Sequence, residues 1–428
     1  MPFPAIIKSS RPQKGSFINK SVLVLLAKLA QASAALGATV VTAAALGPEG
    51  QGAVERVLNL PLMLAPLAGM TAAHAAIALH GRQRPIDEIV GTLRVVNAIG
   101  ISLAALTVFT MVRLEVFPVG QRLAAAAVLL LGFFSLKETG KALSWIRGDA
   151  AFDNYVASVI AVLRVATLLL FWAFGWLTAE RVVWIVVAVW AVSVIPFISM
   201  ERGRLAMSRP PRFSQRSLFE FLRLAGPATL NLVLIGMLLR VDILLLDVFD
   251  SPTDDIGRYA MGVRLAEALW LTPLAIAQVF VVDAAQSRRE SQSGPSLSRI
   301  TLASFALVSC GGVAVWIVLD ALIPILAPSY EGTAQLFLLL LPGIALYAVV
   351  PTARNQLILD GRLVALIVCA LTAVGANVVM NWLLIPRYGV RGAAFSTSVA
   401  YAVLVLGIAL ASRFGRNQST HGFVADGQ

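Results

Sequence analysis

Leu230-Asn231-Leu232-Val233-Leu234-Ile235-Gly236-Met237-Leu238-Leu239-Arg240-Val241-Asp242-Ile243-Leu244-Leu245-Leu246 sets an arginine and an aspartate inside an almost wholly apolar run. The run is long enough to cross a bilayer, which takes ~20 residues. A charge at the bilayer centre costs at least ~2.5–3.5 kcal/mol, so it persists where it faces a protein interior or a water-filled cavity. Arg240 lies roughly 13 Å from the nearer end of its span at 1.5 Å per residue, too deep for easy snorkelling. Similar islands recur at Lys28, Arg164, Arg264 with Glu267, Asp320 and Arg354. Many spans with polar residues inside describe a transporter better than an anchor.

Composition agrees. The chain of 428 residues is 58% hydrophobic and 13% charged, with a mean hydropathy of +0.82, more apolar surface than a soluble domain can hide. The net charge of +11 suggests topology-setting loops rather than nucleic acid. Cys310 and Cys369 lie in apolar runs, and His74, His80 and His421 show no ligand spacing, so neither a disulfide nor a metal is expected. The basic start before Ser21 imitates a signal peptide, but its apolar run is unbroken to Ala45 and reads as an uncleaved first helix.

Runs of apolar residues predict twelve helical spans: 19–46, 57–80, 92–112, 120–137, 155–177, 182–200, 217–248, 258–283, 300–326, 333–358, 363–385 and 392–412. With the N-terminus in the cytoplasm, 22 of the 34 Lys and Arg residues fall on the cytoplasmic side and seven on the other; the remaining five lie within spans. That bias supports cytoplasmic termini. The basic connection 201–216 is expected to link two six-helix halves, residues 1–200 and 217–413, with 414–428 a disordered tail. Leu64-Ala65-Pro66-Leu67-Ala68 and Leu271-Thr272-Pro273-Leu274-Ala275 hint at a parallel repeat. Pro227, Pro273, Pro342 and Pro351 are expected bending points.

No Walker loop, zinc-type cluster or Ser/His/Asp grouping occurs, so the chain does not read as an enzyme and no cofactor is expected. Each embedded charge has a functional and a structural reading. Arg240 is either cavity lining or one half of an ion pair. Asp242, two residues on, does not share its face and pairs across helices or titrates. Arg264 and Glu267, three apart, can pair with each other. Lys28 and Gln31 share a face of the first span. Arg354 is near the end of its span, where an interfacial role competes.

Three stretches resemble the polysaccharide flippase family of the MATE-like exporter superfamily. They are Leu46-Gly47-Pro48-Glu49-Gly50-Gln51-Gly52; Leu239 to Leu246 with Ile256-Gly257-Arg258-Tyr259 and Arg264-Leu265-Ala266-Glu267; and Tyr330-Glu331-Gly332 onward through Pro342-Gly343, Leu359-Asp360-Gly361-Arg362, Asn377, Asn381, Leu384 to Gly389 and Gly392-Ala393-Ala394. The resemblance implies an all-α polytopic protein of two six-helix bundles around a central cavity. It also implies a polyprenyl-diphosphate-linked oligosaccharide as substrate, turned across a bacterial inner membrane. Lys28, Arg240, Arg264 and Arg354 are then the expected diphosphate-binding residues, and Asp242 and Glu267 the expected groups for coupling to H+ or Na+. Expected partners are the lipid-linked substrate, membrane lipids and polysaccharide polymerases or glycosyltransferases. The peptidoglycan-precursor flippases of the superfamily usually carry two further C-terminal helices, which argues against that substrate. The alternatives are an ion-coupled multidrug antiporter and a membrane-embedded glycan-modifying enzyme. The excess of base over acid inside the spans favours the flippase.

Overall fold

The computed structural model describes residues 14–117, 119–146, 150–205, 212–270, 272–274, 276–277 and 297–422. Helices account for nearly all of them, and no strand occurs among the described residues. In chain order the helices are α1 (Lys14–Gly69), α2 (Ala72–Gly81), α3 (Ile86–Arg113), α4 (Gln121–Ile146), α5 (Ala150–Ala173), α6 (Ala179–Leu205), α7 (Gln215–Val248), α8 (Thr253–Ala268), α9 (Leu297–Leu326), α10 (Thr333–Tyr347), α11 (Val350–Leu359) and α12 (Leu363–Gly422).

Nine helical stretches among the described residues are long and apolar enough to cross a membrane. Two of them, Ala30–Gly69 with 40 residues and Leu363–Arg413 with 51, are about twice the length a single crossing needs. Each therefore supplies two crossings, which makes eleven. The twelfth expected span, 258–283, runs beyond the described residues. The expected loop between the first two spans is not a loop. Helix α1 passes through a single non-helical residue, Gly47, at φ 66° and ψ −177°. Gly389, at φ 54°, does the same for the last two spans within α12. A residue without Cβ adopts such angles at no steric cost, so one helix ends and the next begins directly at the glycine, with no intervening loop.

Three predicted spans are broken instead. The second parts at Met70-Thr71, both at positive φ; the eighth turns at Leu269-Trp270; the tenth turns at Ala348-Val349, between α10 and α11. Pro351 opens α11 and Pro273 follows the break in the eighth span, as expected of bending points. Pro227 does not break its helix: α7 is continuous through it, because a proline is tolerated in a spanning helix whose neighbours re-satisfy the freed carbonyl.

The described residues fall into two compact units, 1–261 and 262–428. In the first, Ala38, Leu130, Leu168 and Val186 join α1, α4, α5 and α6 in one apolar cluster. Ala76, Leu93, Leu143 and Phe221 join α2, α3, α4 and α7 in another. In the second unit α10 packs on α9 and α12, where Gly343 lets α10 meet Ser398. Large apolar side chains also point outward, as with Leu302, Ile325 and Val364 at 68%, 75% and 72% exposure. A protein apolar on its outside as well as its inside is built for lipid.

Glycines set the tightest helix crossing. A Cβ on Gly52 would overlap the Thr253 carbonyl, and one on Gly257 would overlap the Pro48 carbonyl. The contacts are reciprocal: position 48 maps onto 253 and 52 onto 257 by the same shift of 205. Glu49 and Asp254, related by that shift, both line a cavity of about 430 Å³ at the crossing. Two copies of one substructure meeting across a local twofold produce such a pattern, which strengthens the case for an internal repeat.

Candidate functional site

In the first unit, polar residues line the face that α1 turns to α7 beyond Gly47. Gln51, Glu55 and Asn59 recur every fourth residue, so they share one helix face, and they are 2%, 4% and 0% exposed. Gln51 Nε2 donates to Glu55 Oε1 at 3.3 Å, and Asn59 Nδ2 donates to the Arg240 carbonyl at 2.6 Å. Gln51 Oε1 and Asn59 Oδ1 are buried without a hydrogen-bond partner among the described residues. Beside that face Arg56 Nε lies 2.7 Å from Asp247 Oδ1, and its Nη2 donates to the Ser251 carbonyl at 3.2 Å.

Arg240 and Asp242 sit within this polar seam. Arg240 is half-buried. Asp242 is 1% exposed; it accepts a short hydrogen bond from the Tyr259 hydroxyl of α8 and one from its own helix at Ile243 N, 2.9 Å. The expectation that Asp242 pairs across helices is met by a phenol. Lys28 lies in α1, but its side chain is outside the described residues. Its neighbour Gln31 donates to the Asn154 carbonyl and to Ser158 of α5, both at 3.2 Å.

The second unit holds the other expected residues. Arg264 and Glu267 pair at 3.0 Å, the geometry that their spacing predicts. Beyond them, where the eighth span breaks, Trp270 stacks on Tyr347 with ring centroids 4.3 Å apart. Tyr401 of α12 closes the trio at 5.0 Å from Tyr347. Trp270 Nε1 is buried with no acceptor among the described residues. Arg354 lies on α11, just past the break in the tenth span. Arg354 Nε is buried without a hydrogen-bond partner among the described residues. Further along α12, Asn381 donates to Asn377, and both are fully buried.

Among the described residues no group of three or more His, Cys, Asp and Glu is placed to hold a metal ion. The sequence reading passed over the Gln51–Glu55–Asn59 face, Arg56–Asp247 and the aromatic trio. The four-residue spacing of the first was visible. The trio joins positions more than fifty residues apart in apolar runs, and nothing local marks it.

No protein-family model matches the chain, and no curated protein matches it in sequence. Solved structures do match in fold. One is the lipid II flippase MurJ in an inward closed conformation, with a TM-score of 0.71 at 14% identity over 92% of this chain and 87% of that one. A mutant of the Vibrio cholerae MATE transporter VcmN matches with a TM-score of 0.59 at 14% identity, covering 94% of this chain and 98% of that one. A multidrug resistance MATE family transporter of the MOP superfamily, in its inward-facing conformation, gives 0.59 at 14% over 95% and 99%. At that identity the likeness establishes architecture: this chain is a multi-pass membrane protein with the helical fold shared by MurJ and the MATE transporters of the MOP superfamily.

Proposed function

We propose that the protein is a flippase for a polyprenyl-diphosphate-linked oligosaccharide in a bacterial inner membrane, working by alternating access. The observation that carries this reading is Arg240, an arginine set deep in an apolar span, whose backbone carbonyl accepts a hydrogen bond from the buried Asn59 amide, in a chain that shares its fold with a lipid flippase and with MATE transporters. Arg240 and Lys28, with Arg264 and Arg354 in support, draw the diphosphate into a cationic cavity. A lipid diphosphate is strongly anionic, and arginine binds it well where the dielectric is low. The glycan crosses in that cavity while the polyprenyl tail stays in lipid, because exposing it to water costs ~0.8 kcal/mol per CH₂. The reciprocal crossing of α1 and α8 closes one side and parts when that side opens. Asp242 and Glu267 are the proposed coupling groups, and Glu55 joins them as a buried carboxylate.

Two halves, 1–200 and 217–413, joined by the basic linker 201–216 with both termini cytoplasmic, complete the proposal; the 205-residue shift of the glycine contacts supports the repeat. Reporter fusions after Arg181 and after Arg209 should report opposite sides. Arg240→Ala should abolish glycan export in cells that depend on this gene, at unchanged protein abundance, while Arg240→Lys keeps part of it. Normal export by Arg240→Ala sinks the cationic cavity, and disappearance of the protein makes Arg240 structural. A second reading, an ion-coupled multidrug antiporter, is favoured by the MATE likeness and by the buried carboxylates Glu55 and Asp242. It requires expression to raise resistance to cationic dyes, with no glycan phenotype on deletion.

A further inference from the structure

Helix α2 ends at Gly81, and the chain turns through Arg82-Gln83-Arg84-Pro85 into α3, with Gln83 at φ 60°. The turn faces the first two turns of α7. Arg84 meets Glu220 through both branches of its guanidinium, Nη2 to Oε1 at 2.6 Å and Nε to Oε2 at 3.4 Å. Arg216 reaches the same carboxylate from one turn earlier, Nε to Oε1 at 3.3 Å. The hydrogen bond that Arg84 donates to Glu220 raises its pKa above the ordinary value, so this guanidinium stays charged. Arg82, Gln83, Arg84, Pro85, Arg216 and Glu220 enclose an open cavity of about 350 Å³.

Three guanidinia against one carboxylate leave the lining with a net charge of +2. Of the neighbouring acids, Glu88 accepts from Ser217 at 2.9 Å and keeps its charge, and Asp87 faces Arg212 at 3.9 Å, so the corner with all of these groups counted is still net positive. The corner is built rather than loose, because Gly91 brings α3 against the backbone of Arg212 so closely that a Cβ would overlap its carbonyl. Arg82 is exposed and its guanidinium has no partner among the described residues. No aromatic side chain lines the cavity, so a nucleobase would find no stacking surface. The pocket sits at the ends of the apolar stretches Ile86–Arg113 and Gln215–Val248, which is the depth of lipid headgroups.

We infer that this pocket binds the phosphate of an anionic phospholipid, with Arg82 and Arg216 gripping the phosphodiester while Glu220 holds Arg84 in place. Basic pockets at helix ends recognise such headgroups, and each arginine near them contributes on the order of 1 kcal/mol. Fork geometry suits phosphate oxygens better than a lysine point charge would.

The test titrates the purified full-length protein in neutral detergent with phosphatidylglycerol, phosphatidylcholine or inorganic phosphate, reading bound lipid by native mass spectrometry and protection by thermal shift. Phosphatidylglycerol should bind in preference to phosphatidylcholine. Arg82→Gln with Arg216→Gln should weaken it by about thirty-fold, two arginines' worth. Arg223→Gln, the same charge change on an exposed residue of α7 outside the pocket, should stay within about twofold on the same reasoning. Arg82→Gln alone, at an exposed side chain without a partner, keeps the test clean of folding effects. The inference falls if Arg223→Gln weakens binding as much as the double variant, or if the double variant binds normally. It also falls if inorganic phosphate protects as well as the lipid, which would make the pocket a site for free phosphate.

Discussion

Gly257→Ala tests whether the crossing of α1 and α8 is a working contact. An alanine Cβ there would stand 2.7 Å from the Pro48 carbonyl carbon and 3.0 Å from the Gly52 nitrogen, and closer still to the Pro48 oxygen. Unstrained contacts need ~3.5–4.0 Å. All three obstacles are backbone, so no side chain can swing aside and the helices must separate by about an ångström. Overpacking of this kind costs ~1–3 kcal/mol. If the closed crossing exchanges with an open one, that penalty falls on the closed state alone and shifts the equilibrium by about five- to 140-fold. Spin labels at Glu49 and Asp254, which flank the crossing, report the separation once Cys310 and Cys369 are replaced. Wild type should give a short distance, and Gly257→Ala should gain a longer population at normal protein yield. Adding Gly52→Ala should change little more, because both glycines guard one contact. An unchanged distance distribution with unchanged thermal stability would refute the packing argument. Unfolding instead of opening would make the crossing a fixed part of the fold and remove it from any transport cycle.

Other expectations are shorter. Tyr259→Phe takes a hydroxyl donor from the buried Asp242 carboxylate and should cost about 1–3 kcal/mol, read as a lower midpoint in thermal unfolding in detergent; no shift would mean that water replaces the phenol. Arg56→Ala leaves Asp247, with 7% of its side chain exposed, without its cation and should destabilise by about 1–3 kcal/mol, below the fully buried range because Arg56 itself is 27% exposed. Asp247→Asn in the same chain should restore most of the loss, and failure to do so would show that Arg56 acts through Ser251. Gly343→Ala forces a Cβ into Ser398 and should lower stability by about 1–3 kcal/mol; a neutral result would mean that α10 and α12 can slide apart freely.

The spans were legible because lipid demands long apolar runs, and the ends of α3, α6, α7 and α9 lie within six residues of where the runs stop, whereas α4 continues nine residues past its expected end at 137. The joins were not. Gly47-Pro48 reads as a turn, yet one glycine at positive φ changes direction while helical bonding continues on both sides. The breaks at Met70-Thr71 and Ala348-Val349 fall in apolar sequence and follow a proline by only four to seven residues, so hydropathy cannot place them. Among candidate residues, the Arg264–Glu267 pair was fixed by spacing alone, whereas the partner of Asp242 was not. Tyr259 comes from the next helix, and only packing decides which phenol lands on which carboxylate. The Trp270 trio was hidden because an aromatic residue in an apolar run looks like lipid-facing bulk until three of them are seen to touch.

The helical passages through Gly47 and Gly389 also bear on how the protein is handled from outside. Where two crossings are joined by a bent helix rather than a loop, almost no backbone is free of hydrogen bonds for a protease to straighten into its active site, or for an inserted tag to lengthen without prising two spans apart. Cleavage and insertion should therefore be tolerated at the exposed Pro328 and Ser329 of the short 3₁₀ turn Pro328–Tyr330, while the two glycine bends stay refractory.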